Sequence, residues 1–196
     1  RQGKVCEDCP RRSLLCAVRR RCYRGSLTQS AVCAFVYGFH RLLGTYRHVA
    51  LFTPTEFDRQ KLLECNARHR VFDPDRLFVK PNPVSAPLPA GQDAPLPMAE
   101  RNNQVLYAGR LEELKGLRTV LAAWKLLGSD PAAPRLVIAG DGPLDAWARE
   151  NAGPNVEFVG RLAPGALHAE MARSLAVAAP SLCYESFSLV PAEAHL

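Results

Sequence analysis

The stretch Glu185-Ser-Phe-Ser-Leu-Val-Pro-Ala-Glu193 places two carboxylates at the ends of a short segment near the end of the chain. Residues 175–183, directly before it, form a mostly apolar run whose length suits a strand buried in a parallel sheet. Ser188 can cap a following helix, because its hydroxyl can accept a hydrogen bond from a free amide of the first turn. This order of strand, loop and helix puts Glu185 in the loop and Glu193 in the first turns of the helix.

A site of this kind can bind a sugar joined to a diphosphate. In open parallel sheets, ligands bind beyond the carboxyl ends of the strands. Free amides at a helix start attract phosphate, and carboxylates accept hydrogen bonds from sugar hydroxyls. The alternative is that Glu185 is a solvated loop acid and Glu193 an ordinary first-turn acid that interacts favourably with the helix dipole.

Strands and helices alternate regularly through the second half of the chain. Short apolar runs at 104–108, 135–139 and 156–159 read as strands. Leu117, Val120, Leu121, Trp124 and Leu127 recur at helical spacing, and shorter helices are expected at 143–150 and 165–174. This alternation predicts an α/β fold with a doubly wound parallel sheet.

Glycines and cations follow the predicted strands. The glycines are Gly109, Gly140, Gly142 and Gly160, and the cations are Arg110, Lys115 and Arg161. Glycine permits tight turns and lets a ligand approach the backbone. Two cations beside a diphosphate would stabilise a departing nucleotide without a metal. Each residue alone could be a turn glycine or a surface cation, but together they indicate one site on one edge of the sheet.

The first half predicts a smaller α/β unit. Apolar runs at 49–53 and 76–80 read as strands, and they flank a helix at 57–65 for which Thr55 is the expected cap. Strand, helix and strand over about 30 residues imply parallel pairing. Before them we expect a buried helix over 26–43, ended by Gly44, with the apolar positions Ala31, Phe35, Phe39, Leu42 and Leu43.

Composition divides the chain into three parts. Five prolines between residues 83 and 99 indicate a stiff linker over 83–103, with domains at 1–82 and 104–196.

The first half of the chain is basic. Residues 1–80 carry 16 Lys and Arg against 7 Asp and Glu, a net charge of +9. This charge suits phosphates, nucleic acid or an acidic membrane surface, unless it is simply a solvated basic face. The chain starts at Arg1 and stops inside a predicted helix, so we expect a fragment.

Four cysteines near the start of the chain have a spacing that can bind zinc. Cys6, Cys9, Cys16 and Cys22 are separated by two, six and five residues. Thiolates at such spacing can form a tetrahedral site, although the second pair lacks the short spacing of common zinc sites. The default alternative is a set of free thiols in a reducing cytosol.

The motifs resemble those of retaining glycosyltransferases of family GT4, which have the GT-B fold of two Rossmann-like domains. The resemblance is strongest over 104–194 and rests on Val105-Leu-Tyr-Ala-Gly-Arg-Leu-x3-Lys-Gly116, Leu136-Val-Ile-Ala-Gly-Asp-Gly-Pro143, Val156-Glu-Phe-Val-Gly160 and Glu185-x7-Glu193. A weaker resemblance covers 49–84. Together, the two resemblances imply that residues 1–82 are part of the acceptor-side domain and carry the cysteine-rich basic segment. They also imply that residues 104–196 are the truncated domain that binds the donor.

The resemblance also implies residue roles. Arg110 and Lys115 would contact the donor diphosphate, Glu185 would bind the transferred sugar, and Glu193 would hold the nucleotide ribose. The full predicted donor-binding set is Gly109, Arg110, Lys115, Gly140, Gly160, Arg161, Glu185, Phe187, Ser188, Leu189 and Glu193, of which Arg110, Lys115 and Glu185 would be catalytic. Ser186 and Ser188 stand where many relatives have glycine.

The expected reaction transfers a sugar, with retention of configuration, from a nucleotide diphosphate sugar to an acceptor hydroxyl. No metal or other cofactor is expected. The acceptor would be a glycan, a lipid-linked sugar or a small molecule. The protein would be located in the cytoplasm or at the inner face of a membrane, with peripheral membrane contact. No nucleic-acid partner is expected. The alternatives are a nucleotide-sugar epimerase or phosphorylase of the same fold, and a non-enzymatic zinc module that binds nucleic acid. We expect residues 1–196 alone to be inactive, because such a reaction centre lies between two domains.

Overall fold

The computed structural model describes residues 5–84, 96–128 and 130–195. The chain divides into two compact units between Asn82 and Pro83, and each unit is treated by itself below. Most of the predicted proline-rich linker, residues 85–95, lies outside the described residues, as does Leu196. None of the helices in the described parts of the chain combines the length and apolar character needed to cross a bilayer.

The unit of residues 6–82 begins with helices. The first three are α1 (Asp8–Arg11), α2 (Leu15–Arg19) and α3 (Leu27–Leu42). Ser26 caps α3 by accepting a hydrogen bond from the backbone N–H of Gln29. Gly44 follows the helix in the left-handed region, at φ +68°, where a glycine avoids the steric cost of a side chain. The predicted helix and its stop are therefore both observed.

A βαβ unit follows, as predicted. It consists of β1 (Leu51–Thr53), α4 (Glu56–His69) and β2 (Leu77–Val79). β1 and β2 pair in parallel, and the Thr55 side chain accepts from the N–H of Asp58 to cap α4. A small core of Val71, Phe72 and Leu77 stabilises this unit.

The prediction that α3 is buried is wrong for the described residues. Phe35, Phe39, Leu42 and Leu43 are between 48% and 85% exposed, and the buried residue of the helix is Ser30. The Ser30 hydroxyl donates to the carbonyl of Ser26 and accepts from the N–H of Tyr23, and Tyr37 of the same helix packs against the small core. Helical spacing of apolar residues predicts a helix with one apolar face, but it does not say what that face contacts.

The unit of residues 83–195 is built on a four-stranded parallel sheet in the order β5-β4-β3-β6. Its strands are β3 (Asn102–Ala108), β4 (Arg135–Ala139), β5 (Val156–Gly160) and β6 (Ser174–Ala178). Its helices are α5 (Leu117–Leu127), α6 (Asp145–Asn151), α7 (Pro164–Arg173) and α8 (Leu189–His195). The predicted α/β class, parallel pairing and element order are confirmed.

Helices cover both faces of this sheet. On one face, Tyr107 and Ile138 pack with Leu117 and Leu121 of α5. On the other face, buried strand residues such as Leu106 and Val137 pack with Met171 of α7. Both faces are apolar because a parallel sheet with helices on either side exposes neither face to water.

Two local predictions need correction. Leu127, assigned to the apolar face of α5, is 44% exposed at the end of the helix. The strand expected over 175–183 ends earlier, because β6 stops at Ala178 and a loop runs from there to the start of α8. Pro180 in this loop has no N–H to donate to a neighbouring strand, which explains why an apolar run does not continue as β-structure.

Candidate functional site

A cavity of about 370 Å³ opens at the carboxyl edge of the four-stranded sheet. It is lined by Ala108, Gly109, Arg110, Ala139, Gly140, Asp141, Arg161, Leu162, Leu167 and Val190. Four of the predicted donor-binding residues are among them: Gly109, Arg110, Gly140 and Arg161. The sequence pattern therefore located the cavity at the edge of the sheet where ligands of such folds bind.

Glycine at position 140 is required by the backbone of this cavity. Gly140 has φ +152°, and a Cβ there would lie 1.9 Å from the carbonyl oxygen of Gly109. The Gly109 N–H donates to Ala139, and the Gly140 N–H donates to Gly160, so the three strand ends are joined directly by backbone bonds. The cavity floor is thus backbone, with its polar groups held in place.

The loop of residues 109–116 is fastened at several points. The buried hydroxyl of Tyr107 donates to the carbonyls of Arg110 at 3.2 Å and Lys115 at 3.3 Å. Burial and, to a smaller extent, the nearby Glu112 carboxylate raise the pKa of Tyr107 to about 12, so the hydroxyl remains a donor at neutral pH. The Leu182 N–H donates to the Leu114 carbonyl at 2.8 Å, which joins this loop to the loop after β6.

These joined loops bring Lys115 and Glu185 together. Lys115 Nζ lies 2.5 Å from Glu185 Oε1, and both side chains are about one-third exposed or less. Ser181 Oγ donates to the same carboxylate oxygen at 2.5 Å. Hydrogen bonds from Lys115 first and Ser181 second lower the pKa of Glu185, outweighing the opposite effect of its partial burial. Glu185 is therefore an ionised acceptor at neutral pH.

Ser181 is a site residue that the sequence did not indicate. It lies within the apolar run that predicted a strand, where a small hydroxyl carries no signal of its own. Its position four residues before Glu185 is compatible with many backbone conformations. Its hydroxyl faces the Glu185 carboxylate because the strand ends at Ala178 and the chain continues as a loop.

Arg110 lies at the mouth of the cavity. Its side chain is 71% exposed, and its Nη2 is 3.7 Å from the Glu112 carboxylate. Arg161 also lines the cavity and is exposed. Because Arg110 pairs weakly in this exposed position, it can turn toward an anion without losing a strong partner.

The remaining predicted residues lie on the last loop and helix. Phe187 and Ser188 precede α8, Leu189 begins it, and the contribution of their amides remains a prediction. Glu193 lies on α8 with its carboxylate 3.7 Å from His168 Nε2, not among the residues that line the cavity. Val190, one helical turn before Glu193, does line it.

The cysteines of the unit of residues 6–82 are all free thiols. Arg20 Nη1 donates to Cys6 Sγ at 3.4 Å. Burial, followed by the nearby Cys22, Cys16 and Cys6, raises the pKa of the Cys9 thiol. Within the described ranges, no group of three or more His, Cys, Asp or Glu side chains is arranged to hold a metal ion.

Structural zinc at Cys6, Cys9, Cys16 and Cys22 remains a prediction that metal analysis decides. If the four thiolates hold structural zinc, we expect freshly purified protein to contain one zinc per chain, and chelation to loosen residues 5–33 while residues 104–194 remain folded. No zinc, together with thiols that react freely with a thiol reagent, would return the four cysteines to the alternative of free thiols.

Residues 102–195 match the model of the family described as glycosyl transferases group 1. The match covers just under half of the chain and includes the whole sheet, the cavity and Glu185. No curated protein matches the chain.

The chain is similar to solved glycosyltransferase structures. A TarM mutant of S. aureus, in complex with Fondaparinux, alpha-GlcNAc-glycerol and UDP, is 17% identical with a TM-score of 0.55, covering 73% of this chain and 27% of that one. Sucrose-phosphate synthase from Thermosynechococcus elongatus is 23% identical with a TM-score of 0.49, covering 73% and 37%. The chain thus spans roughly a quarter to two-fifths of these proteins. The likeness to TarM shows the fold, which is of the GT-B type.

Proposed function

We propose that this chain is the donor-binding part, with a portion of the acceptor side, of a retaining glycosyltransferase of family GT4. The observation that carries the proposal is the Lys115–Glu185 pair at the carboxyl edge of the sheet. The two residues are 70 positions apart in the chain, and the joined loops bring a cation and a carboxylate into contact. Neither residue lines the cavity, but Arg110, which does, lies on the same loop as Lys115. The family match over 102–195 supports assigning this edge to a nucleotide diphosphate sugar.

The proposed chemistry follows from the charges. The bond between the sugar and the diphosphate breaks, and the electron pair leaves with the diphosphate. An acceptor hydroxyl attacks the anomeric carbon on the same face of the sugar, and its proton passes to the departing diphosphate oxygen. Lys115 and Arg110 stabilise the charge that develops on the departing diphosphate, as preorganised cations do for leaving groups in general. These cations supply positive charge for a metal-independent mechanism.

Glu185 and its partners position the sugar. An ionised carboxylate accepts hydrogen bonds from sugar hydroxyls, and its lowered pKa keeps it ionised. In the unliganded site Lys115 is already paired with Glu185, so a diphosphate must compete with Glu185 for the Lys115 ammonium. Ser181 then keeps one hydrogen bond to the carboxylate when Lys115 turns to the phosphates.

We further propose that the acceptor is a glycan, a lipid-linked sugar or a small molecule, and that the protein acts in glycan biosynthesis in the cytoplasm. The UDP bound by the TarM structure makes UDP a suitable first probe for this chain. Peripheral contact with the inner face of a membrane is a compatible location, supported by the basic first half of the chain and by the exposed Phe35 and Leu42 of α3.

Arg110→Ala and Lys115→Ala test the proposed donor site. Each substitution removes charge-assisted hydrogen bonds to a diphosphate, worth on the order of 1.5–3 kcal/mol. We therefore expect the dissociation constant of UDP, measured by titration calorimetry, to rise roughly 10- to 100-fold in each variant.

Lys125→Ala is the matched control, because Lys125 is an exposed residue at the end of α5. It should leave UDP affinity unchanged. Unchanged affinity in both Arg110→Ala and Lys115→Ala would show that the diphosphate is not bound by these cations. In the chain extended at both ends, sugar transfer that depends on an added acceptor would separate a glycosyltransferase from an epimerase or phosphorylase of the same fold.

A further inference from the structure

His168 contacts the carboxylate of Glu193, to which the resemblance to GT4 enzymes assigns the nucleotide ribose. It lies on α7 next to Leu167, which lines the cavity. Its side chain is only 11% exposed, and its Nε2 is 3.7 Å from Glu193 Oε2, which belongs to a carboxylate side chain that is 19% exposed. Its other ring nitrogen, Nδ1, is buried and has no hydrogen-bond partner among the described residues.

The surroundings of the two ring nitrogens select a tautomer. A neutral imidazole carries one N–H and one acceptor nitrogen, whereas a protonated ring carries two N–H groups. A buried N–H without a partner is costlier than the same N–H facing a carboxylate. The proton of a neutral ring therefore belongs on Nε2, where it points at Glu193, and Nδ1 remains the unprotonated nitrogen.

The separation of 3.7 Å is slightly longer than a hydrogen bond. A small rotation of the Glu193 side chain closes it, and Glu193 is a long side chain on the short helix α8. Holding such a side chain in one rotamer costs conformational entropy, which the contact with an already buried ring helps to offset. Val190 of α8 and Leu167 of α7 both line the cavity, so the contact joins the two helices at its wall.

We propose that His168 is a positioning residue that holds the Glu193 carboxylate in place to accept hydrogen bonds from the ribose hydroxyls of the donor nucleotide. This inference rests on the proposed function and on the ribose role that the GT4 resemblance implies for Glu193. His168 itself touches no part of the donor and acts through the orientation of Glu193.

The test compares two nucleotides and four proteins. UDP and a UDP analogue lacking both ribose hydroxyls are titrated into the native chain, His168→Ala, His168→Gln and Glu193→Ala. We expect His168→Ala to bind UDP about 3- to 10-fold more weakly, as for the loss of one hydrogen bond, while its affinity for the analogue stays unchanged. His168→Gln should recover most of the loss, because its amide N–H can donate to Glu193. Glu193→Ala should bind both nucleotides equally.

A purely structural role for His168 predicts a different pattern. If His168→Ala weakens both nucleotides by the same factor, or if His168→Gln restores nothing while remaining folded, the proposal is overturned. Should His168→Ala fail to fold, His168→Phe takes its place in the comparison, because its ring fills the buried position but has no N–H to donate to Glu193. If the native protein binds neither nucleotide, the proposed function itself is overturned. That result differs from an equal loss of affinity for both nucleotides in His168→Ala, which overturns only the role of His168.

Discussion

Gly116→Ala lowers the free energy of unfolding of the unit of residues 83–195 by about 2–5 kcal/mol. Gly116 lies in the left-handed region at φ +71°, where a side chain costs roughly 1–2 kcal/mol. A Cβ at this position would also lie 1.9 Å from the carbonyl oxygen of Pro180. Because the nearest atom is backbone, the two loops must move apart, which adds an overpacking cost of about 1–3 kcal/mol.

The same displacement separates the groups of the proposed site. Gly116 follows Lys115 directly, and Pro180 precedes Ser181, so pushing these backbones apart lengthens the contacts of both residues with Glu185. We therefore expect weaker UDP binding in this variant even under conditions where it is fully folded. Urea unfolding followed by circular dichroism and calorimetry with UDP measure the two effects.

Gly44→Ala, in the unit of residues 6–82, is the matched control for the steric part of this effect. Gly44 has nearly the same left-handed backbone, with φ +68° and ψ +18°, but a Cβ there would meet only the end of the Arg47 side chain, at 3.8 Å. It should lose only the conformational cost of roughly 1–2 kcal/mol, with UDP affinity unchanged. Equal destabilisation by Gly116→Ala and Gly44→Ala would mean that the contact with Pro180 is easily relieved and does not determine how the loops are docked.

Glu170→Ala should destabilise the unit of residues 83–195 by about 1–3 kcal/mol, the cost of leaving a buried polar group without a hydrogen-bond partner. Glu170 is 5% exposed at the edge of the sheet opposite the cavity. It pairs with Arg173 and accepts from Gln104 Nε2 at 2.6 Å, and the same Nε2 donates to Ser174 Oγ. Truncating Glu170 leaves the buried Gln104 amide with one partner fewer and Arg173 without its carboxylate.

Glu157→Ala provides the comparison on the surface. Glu157 pairs with Arg135 at 2.8 Å, but both side chains are about half exposed. Such a pair contributes at most about 1 kcal/mol, so its loss should be small. Chemical unfolding of Glu170→Ala and Glu157→Ala under the same conditions gives the loss in free energy of unfolding for a buried and for an exposed carboxylate of the same unit. A similar loss of stability in both would contradict the importance of the buried network.

The Glu170 network also predicts a dependence of stability on pH. Burial raises the pKa of Glu170, but hydrogen bonds from Arg173 and Gln104 outweigh it, so the pKa in the folded state is lowered. A carboxyl with a lowered folded pKa stabilises the fold above its unfolded pKa, and this contribution is lost as the pH falls through the folded pKa. The native chain should therefore lose stability in acid more steeply than Glu170→Ala.

Local sequence signals predicted many elements correctly. Ser26 and Thr55 cap helices because a hydroxyl next to free amides satisfies them in almost any context. The strands at 102–108 and 135–139 were recognisable because buried parallel strands are apolar on both faces. The glycines and cations after these strands predicted the cavity because parallel strands end on one edge of a sheet.

Contacts between distant segments could not be predicted in this way. Ser181 reaches Glu185 only because the apolar run breaks off at Ala178 and turns toward Leu114. His168 meets Glu193 because α7 and α8 pack on the same face of the sheet, and neither residue carries a local signal of the other. The exposure of Phe35 was missed because spacing defines a helix face and not its neighbour.

For this protein, the amino-acid sequence alone determined the order of strands and helices, the parallel pairing and the sheet edge at which the cavity opens. These properties follow from short-range periodicity, capping and the backbone freedom of glycine. The folded structure was needed to join Lys115, Ser181 and Glu185 around one oxygen and to leave one nitrogen of His168 buried beside Glu193. Such contacts depend on where loops of different length come to rest when the helices pack, and packing is a property of the whole sheet and not of any one segment.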